Sequence, residues 1–341
     1  LNRNLLLAVF ALATTVATAA VLAGCGSSGG DTFTIYSGRS SGLVAPLYER
    51  FEQKTGIDVE VKYGESPELA ATIQEEGANS PADVFYAQDA GAIGSVSSEG
   101  LLAPLPAGLA DKVAEPYRDG EGRWTGVTGR VRTAVYNTEE VAESELPDSV
   151  LDLTAPEWKG RVGIAPGNAS FEGFVTAMRL TVGDEQTEQW MQDMKANDVK
   201  TYEKNTQIVE AAARGEIDVG LVNHYYLFEH KSEQPDSPVE NHFFEEGDPG
   251  TLVNVSAAGI LASAKHKQDA QKFMEFLLSE GQEYFATEAE EREYAMVEGY
   301  PPPEGLPPLN EIKSPKVNLS EFGAELPATV KMIDSIGFSG T

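Results

Sequence analysis

Two hydrophobic periods alternate along this chain, and the switches between them mark its elements. Residues 33–38 (FTIYSG) form a β-rich run, and the segment 40–56 that follows carries apolar residues at helical spacing and stops on Gly56. That order predicts strand, polar turn and helix. Residues 57–64 (IDVEVKYG) alternate as a strand. Residues 66–77 (SPELAATIQEEG) then supply a Ser cap, an early Pro and a terminal Gly for a helix, and 81–87 (PADVFYA) give a third strand. Strands alternating with helices predict a parallel sheet covered on both faces.

The middle of the chain repeats the theme. Residues 161–166 read as a strand, 168–183 as a helix continued by 185–195, 205–216 as a helix and 217–223 as the strand after it. Two extended segments, 129–138 and 250–264, lie between the units and have the look of hinge crossovers. Two crossings make the first lobe discontinuous, so that it regains the helical segment 269–286. The Pro-rich run 301–308 is extended and leads to a final helix near 326–336. The expected fold class is therefore α/β in two lobes, each a mainly parallel sheet flanked by helices, with the ligand in the interlobe cleft.

The N-terminus adds an address. Asn2, Arg3 and Asn4 precede an uncharged apolar run over 5–23, the layout of an export signal. The run ends in LAGC (22–25) and meets a Gly/Ser stretch at once, so Cys25 is expected to be the lipidated first residue of the mature protein. The expected localisation is the outer face of the cell membrane, or the periplasm. Cys25 is the only cysteine, which excludes a disulfide framework and a thiolate metal cluster. About 310 residues remain after the leader, enough for two compact domains.

Composition narrows the partners. A formal charge of −29 argues against nucleic acid and against docking on an anionic bilayer, leaving the lipid anchor as the membrane contact. No Walker loop, GxGxxG helix opening, HExxH or GxSxG elbow occurs, and none of the four histidines pairs with another at metal-ligand spacing. The reading is a binding protein rather than an enzyme, and a monomer.

The unusual local feature is NHYYLFEH (223–230), directly after the strand 217–223. Successive helical side chains lie about 100° apart, so Tyr225 and Tyr226 can face one cleft. A hard trivalent cation would displace their phenolic protons, which ordinarily leave near pH ~10. On the residues alone, the two rings could equally pack in a core or line a sugar or amine pocket.

The wider pattern resembles the periplasmic ferric-iron-binding proteins of ABC importers, along the whole of the expected mature region. The ordered landmarks are IYSGR (35–39), EEGANSPADVFYAQD (75–89), TGRVRTAVYNT (128–138), APEWKGRVGIAP (155–166), ARGEIDVGLVNHYY (213–226), DPGTLVNVSAAGIL (248–261) and KQDAQKFMEFLLSEGQEYFA (267–286). The resemblance implies a class II periplasmic-binding-protein fold and delivery of the cargo to an ABC permease and its ATPase. It implies Tyr225 and Tyr226 as ligands to Fe(III), free or as a chelate. It also implies a synergistic carbonate or phosphate, held by the turn Asn168, Ala169, Ser170 and by Asn205 and Asn223. Backbone N–H groups at a helix N-terminus favour such an anion. Arg39 and Arg130 match arginines that bind carbonate in some members.

The departures are as specific as the matches. Ser40 and Ser41 stand where many members carry a histidine, Gln88 (with Asp89 beside it) where they carry a glutamate, and Asn168 where some carry a tyrosine. Two phenolates leave about +1 on the ion and about four of its roughly six positions open. His224 matches an asparagine of the family and is read as a neighbour, while Tyr36, Tyr86 and Tyr202 are reserve phenolates. The alternative cargo for the same fold is a small organic cation or a phosphonate, as in thiamine, polyamine or phosphonate uptake. A lipid-anchored hydrolase or sensory protein has no feature in its favour. The expected division is a leader at 1–24, a tether at 25–31, one lobe from 32–128 plus 257–300, and the other from 129–256 plus 301–341.

Overall fold

The computed structural model describes residues 32–289 and 291–338. The expected leader (1–24) and tether (25–31), with Cys25, lie outside the described residues. In chain order the first elements are β1 (Phe33–Ser37), α1 (Ser41–Thr55), β2 (Val59–Tyr63), α2 (Ser66–Glu76), β3 (Val84–Ala87) and α3 (Ala90–Ser98). β1 pairs in parallel with β2 on one side and β3 on the other, as the alternation of strands and helices predicts. Helix α1 buries Leu43, Val44, Leu47, Tyr48 and Phe51 along one stripe, and Gly56 ends it at φ 70, returning its N–H to Glu52 O.

Ser66 does something other than the expected capping. Glu65 holds the cap position of α2, and the buried Ser66 Oγ accepts the Gln88 N–H at 2.8 Å instead. This ties the start of α2 to the exit of β3, and the fit requires a glycine opposite: a Cβ on Gly38 would stand 1.9 Å from Ser66 Oγ.

The long strand β4 (Trp124–Asn137) is buried over all of its 14 residues. After it come β5 (Val162–Ile164), α4 (Ala169–Val182), α5 (Asp184–Ala196), β6 (Lys200–Thr201), α6 (Asn205–Ala213), β7 (Val219–Asn223), α7 (Tyr225–Glu233) and β8 (Val239–His242). The chain returns through β9 (Val253–Ile260), α8 (Lys267–Leu277), α9 (Glu280–Thr287) and β10 (Tyr294–Ala295), and ends on α10 (Phe322–Ile336). The strand order is β2-β1-β3-β9-β4-β7-β5-β6, with β8 and β10 also pairing β4. β4 joins the two halves of this order. Its first part pairs antiparallel with β9, and its second part pairs antiparallel with β7 and β8.

The segment 269–286 is not one helix. Ser279 breaks it, its Oγ donating to Glu275 O at 2.7 Å. The break lets Phe276 and Leu277 on one side and Tyr284 and Phe285 on the other bury in the same cluster.

The apolar interior follows the two halves of the strand order. One cluster gathers Phe33, Phe51, Trp124 and Phe273, and another gathers Phe171, Phe174, Trp190 and Met191. Helix α10 feeds both, Phe322 entering the first and Ile333 the second. It crosses α3 at backbone contact: a Cβ on Gly323 would lie 2.6 Å from Ser95 N and 2.7 Å from Gly91 O.

His224 ties the halves at their junction. Its ring is 0% exposed; Nδ1 accepts the Val131 N–H at 3.1 Å and Nε2 donates to Arg292 O at 2.9 Å. Protonation would break the first bond, and burial pushes the imidazole down from 6.5 to about 4.

Two outcomes follow from this packing. Gly323→Ala should destabilise the protein by about 1–3 kcal/mol in denaturant unfolding, because backbone rather than a movable side chain meets the new methyl. For His224 the folded value lies below the unfolded one, so its contribution is complete above about pH 6.5 and is lost as pH falls toward 4. Acid titration of thermal stability should show a loss on the order of 3 kcal/mol in that window. His224→Gln, though less stable at neutral pH, should show a flatter slope there; equal slopes would contradict the assignment.

Candidate functional site

The alternation of β4 places Thr128, Arg130 and Arg132 on one face. Thr128 Oγ1 donates to Glu293, whose Oε2 also lies 2.6 Å from Arg39 Nη2, both side chains fully buried. Arg130 Nε stands 3.9 Å from Glu293 Oε1. Gln88 completes the knot, its side-chain oxygen accepting from Arg39 and its carbonyl from Arg130. Burial alone would raise Glu293, but the two guanidiniums outweigh it and hold the carboxyl below its usual value. Arg39 responds in kind: burial pulls it down, and Glu293 more than offsets that. Near them, Glu291 is pushed up from 4.5 to about 7 by burial and by the charge of Glu293.

Arg132 differs from its two neighbours. It is 2% exposed and donates to Leu221 O at 2.8 Å and Ser170 Oγ at 3.2 Å, with its guanidinium over the rings of Phe171 and Phe174. It makes no ion pair among the described residues, its Nε has no hydrogen-bond partner, and burial lowers it from 12.5 to about 9. A buried cation without a counter-charge is unfavourable unless a ligand supplies one.

Ser170 belongs to the turn that starts α4. Asn168 caps that helix, its Oδ1 accepting from Ser170 N at 3.0 Å. Asn205, at the start of α6, donates to Asn168 Oδ1 at 3.1 Å and to Ser170 Oγ at 3.2 Å. Asn205 therefore holds the turn from behind rather than lining the space in front of it.

That space is a cavity of about 1300 Å³. Tyr225 and Tyr226 line it at the junction of β7 and α7, their ring centroids 4.3 Å apart at 35°. Tyr225 is 9% exposed; burial, and then Tyr226 beside it, push its phenol well above the ordinary value, against the pull of Arg130. Without a ligand it is a neutral phenol at physiological pH, and only a strong cation removes the proton.

Arg39, Arg130, Asn223 and the turn 168–170 line the same cavity, as do Ser40, Gln88 and Asp89. Asp89 is engaged as the cap of α3, accepting from Ala92 N at 2.9 Å. His224 faces Val131 and Arg292, in keeping with its reading as a neighbour. The reserve phenols Tyr36, Tyr86 and Tyr202 are not among the lining residues. Tyr36 bonds Glu76 at 3.0 Å and is pushed up to about 12, chiefly by burial, while Tyr86 lies beneath Arg39.

Sequence reasoning missed Arg132, Glu293, Glu291 and Tyr63, all close to or lining the cavity. The RVR pattern inside an otherwise apolar strand was a signal for Arg132. Glu293 sits in an acidic run that gives no local hint of burial.

Comparison with known proteins places this geometry. A family model for bacterial extracellular solute-binding proteins matches residues 79–304. The chain is 35% identical over 294 residues to the Fe(3+)-binding periplasmic protein of Serratia marcescens, covering 85% of this chain and 86% of that one. Iron-bound HitA from Pseudomonas aeruginosa superposes with a TM-score of 0.82 at 35% identity, over 90% of this chain and 99% of that one. Trichodesmium IdiA (FutA), in complex with iron and citrate, gives 0.81 at 31% identity, over 90% and 100%. The fold shared with these structures is the two-lobed α/β fold expected from the strand and helix pattern. The chain is a member of the bacterial extracellular solute-binding protein family.

Proposed function

We propose that this protein captures ferric iron with a synergistic anion outside the cell membrane and delivers it to an ABC permease. The observation that carries the reading is the adjacent, cavity-lining pair Tyr225 and Tyr226 beside an unpaired buried Arg132. Phenolates are hard anionic donors suited to a hard trivalent ion. The names of the relatives support the same cargo.

The anion, carbonate or phosphate, would sit before the turn 168–170, where the N-terminus of α4 and Arg132 favour negative charge. Asn205 positions that turn, and Asn223 lines the same space. Arg39 and Arg130, tied to Glu293, form the positive wall behind the ion. Arg132, a buried guanidinium with no carboxylate partner among the described residues, weighs against an organic cation in front of the turn 168–170. The cavity volume, about 1300 Å³, exceeds what one ion and one small anion fill, which supports closure of the lobes by bending at β4 and β9. The LAGC motif supports an exported protein anchored through Cys25.

Reconstitution with a ferric salt in bicarbonate or phosphate tests the reading. The protein should turn red through phenolate-to-iron charge transfer. The double variant Tyr225→Phe, Tyr226→Phe should lose the band and weaken iron binding by more than about 100-fold, beyond the effect of losing an outer-sphere partner. A colourless native protein, or a double variant that keeps band and affinity, would sink it.

A further inference from the structure

Two phenolates fill about two of the roughly six positions that ferric iron prefers. Besides Tyr63, the wall of the cavity opposite α7 offers the carboxylate of Glu65 on its exposed rim and few other anionic donors. Ser40 and Ser41 are neutral hydroxyls, Gln88 is tied to both arginines, and Asp89 is committed to its helix cap. An ion held from one lobe alone would give no reason for the other lobe to close on it.

Tyr63 meets the need. It is the last residue of β2, in register with Ser37 at the end of β1, where the loop carrying Arg39 and Ser40 begins. Alternation puts Val59, Val61 and Tyr63 on one face of β2. Val59 and Val61 pack against the first core cluster, whereas Tyr63 stands past the end of that core and lines the cavity. It is 40% exposed, the one exposed large hydrophobic side chain among the described residues. Its hydroxyl makes no hydrogen bond to a described residue, unlike Tyr36 and Tyr48, which bond Glu76 and Ser37. Of the chain's 12 tyrosines only Tyr63, Tyr225 and Tyr226 line the cavity.

We propose that Tyr63 is a third phenolate ligand to the ferric ion, brought from the facing wall as the lobes close. On binding, the oxygen–iron bond replaces the O–H bond and the proton passes to solvent or to the accompanying anion. Three phenolates neutralise the ion's charge of about +3, so the charge left on the closed cluster is that of the accompanying anion, which faces Arg132. The inference rests on the iron reading and supplies a ligand that Ser40, Gln88 and Asn168 do not.

Tyr63→Phe removes one exposed hydroxyl and should leave folding intact, checked by the unfolding curve of the iron-free protein. With ferric iron and bicarbonate, it should lose about one third of the charge-transfer intensity, one of three chromophoric bonds, and bind iron roughly tenfold or more weakly. Glu65→Gln, which alters the acidic residue beside Tyr63 on the same rim, should keep the full band. A Tyr63→Phe protein with native band and affinity, while Tyr225→Phe loses both, would overturn the third ligand and leave the iron reading standing. A native protein with no band would overturn both.

Discussion

Everything at this site depends on β4. A buried strand that pairs with β9 along its first part and with β7 and β8 along its second must offer apolar side chains to the cores of both halves. Its other face then carries Thr128, Arg130 and Arg132 toward the cavity at a fixed spacing of two residues. The spacing separates the two arginines chemically as well as spatially: the first shares Glu293 with Arg39, and the second reaches Ser170.

That separation sets the charge logic. Glu293 is a buried internal counter-ion shared by Arg39 and Arg130, so that one carboxylate offsets part of the charge of two guanidiniums. Arg132 has no such partner and faces the helix start where an anion is expected. Burial keeps the Tyr225 phenol protonated, so it would become a ligand only where an ion outcompetes its proton. A site of this kind would discriminate against weakly polarising cations through the same step that binds a hard one.

Much of this was legible in the chain. Periodicity located strands and helices that carry the site and the strand-to-helix junction where Tyr225 and Tyr226 line one space. What escaped depended on tertiary placement. Helix α3 is rich in Gly and Ser, poor helix formers, and is sustained by burial and by the Asp89 cap. Glu293 looks like one more surface acid until the fold brings Arg39 to it from 254 residues away. Tyr63 looks like an ordinary strand residue, because alternation shows which face it is on but not where the core beneath that face ends.

The central claim is that the tyrosine pair grips a ferric ion between the lobes. Anomalous diffraction at the iron absorption edge, on crystals of the protein grown with ferric iron and bicarbonate, tests it most directly. The account predicts one strong peak within bonding distance of the hydroxyls of both Tyr225 and Tyr226, with density for an anion before the turn 168–170. A peak elsewhere, or no peak in a cavity occupied by an organic solute, would contradict it.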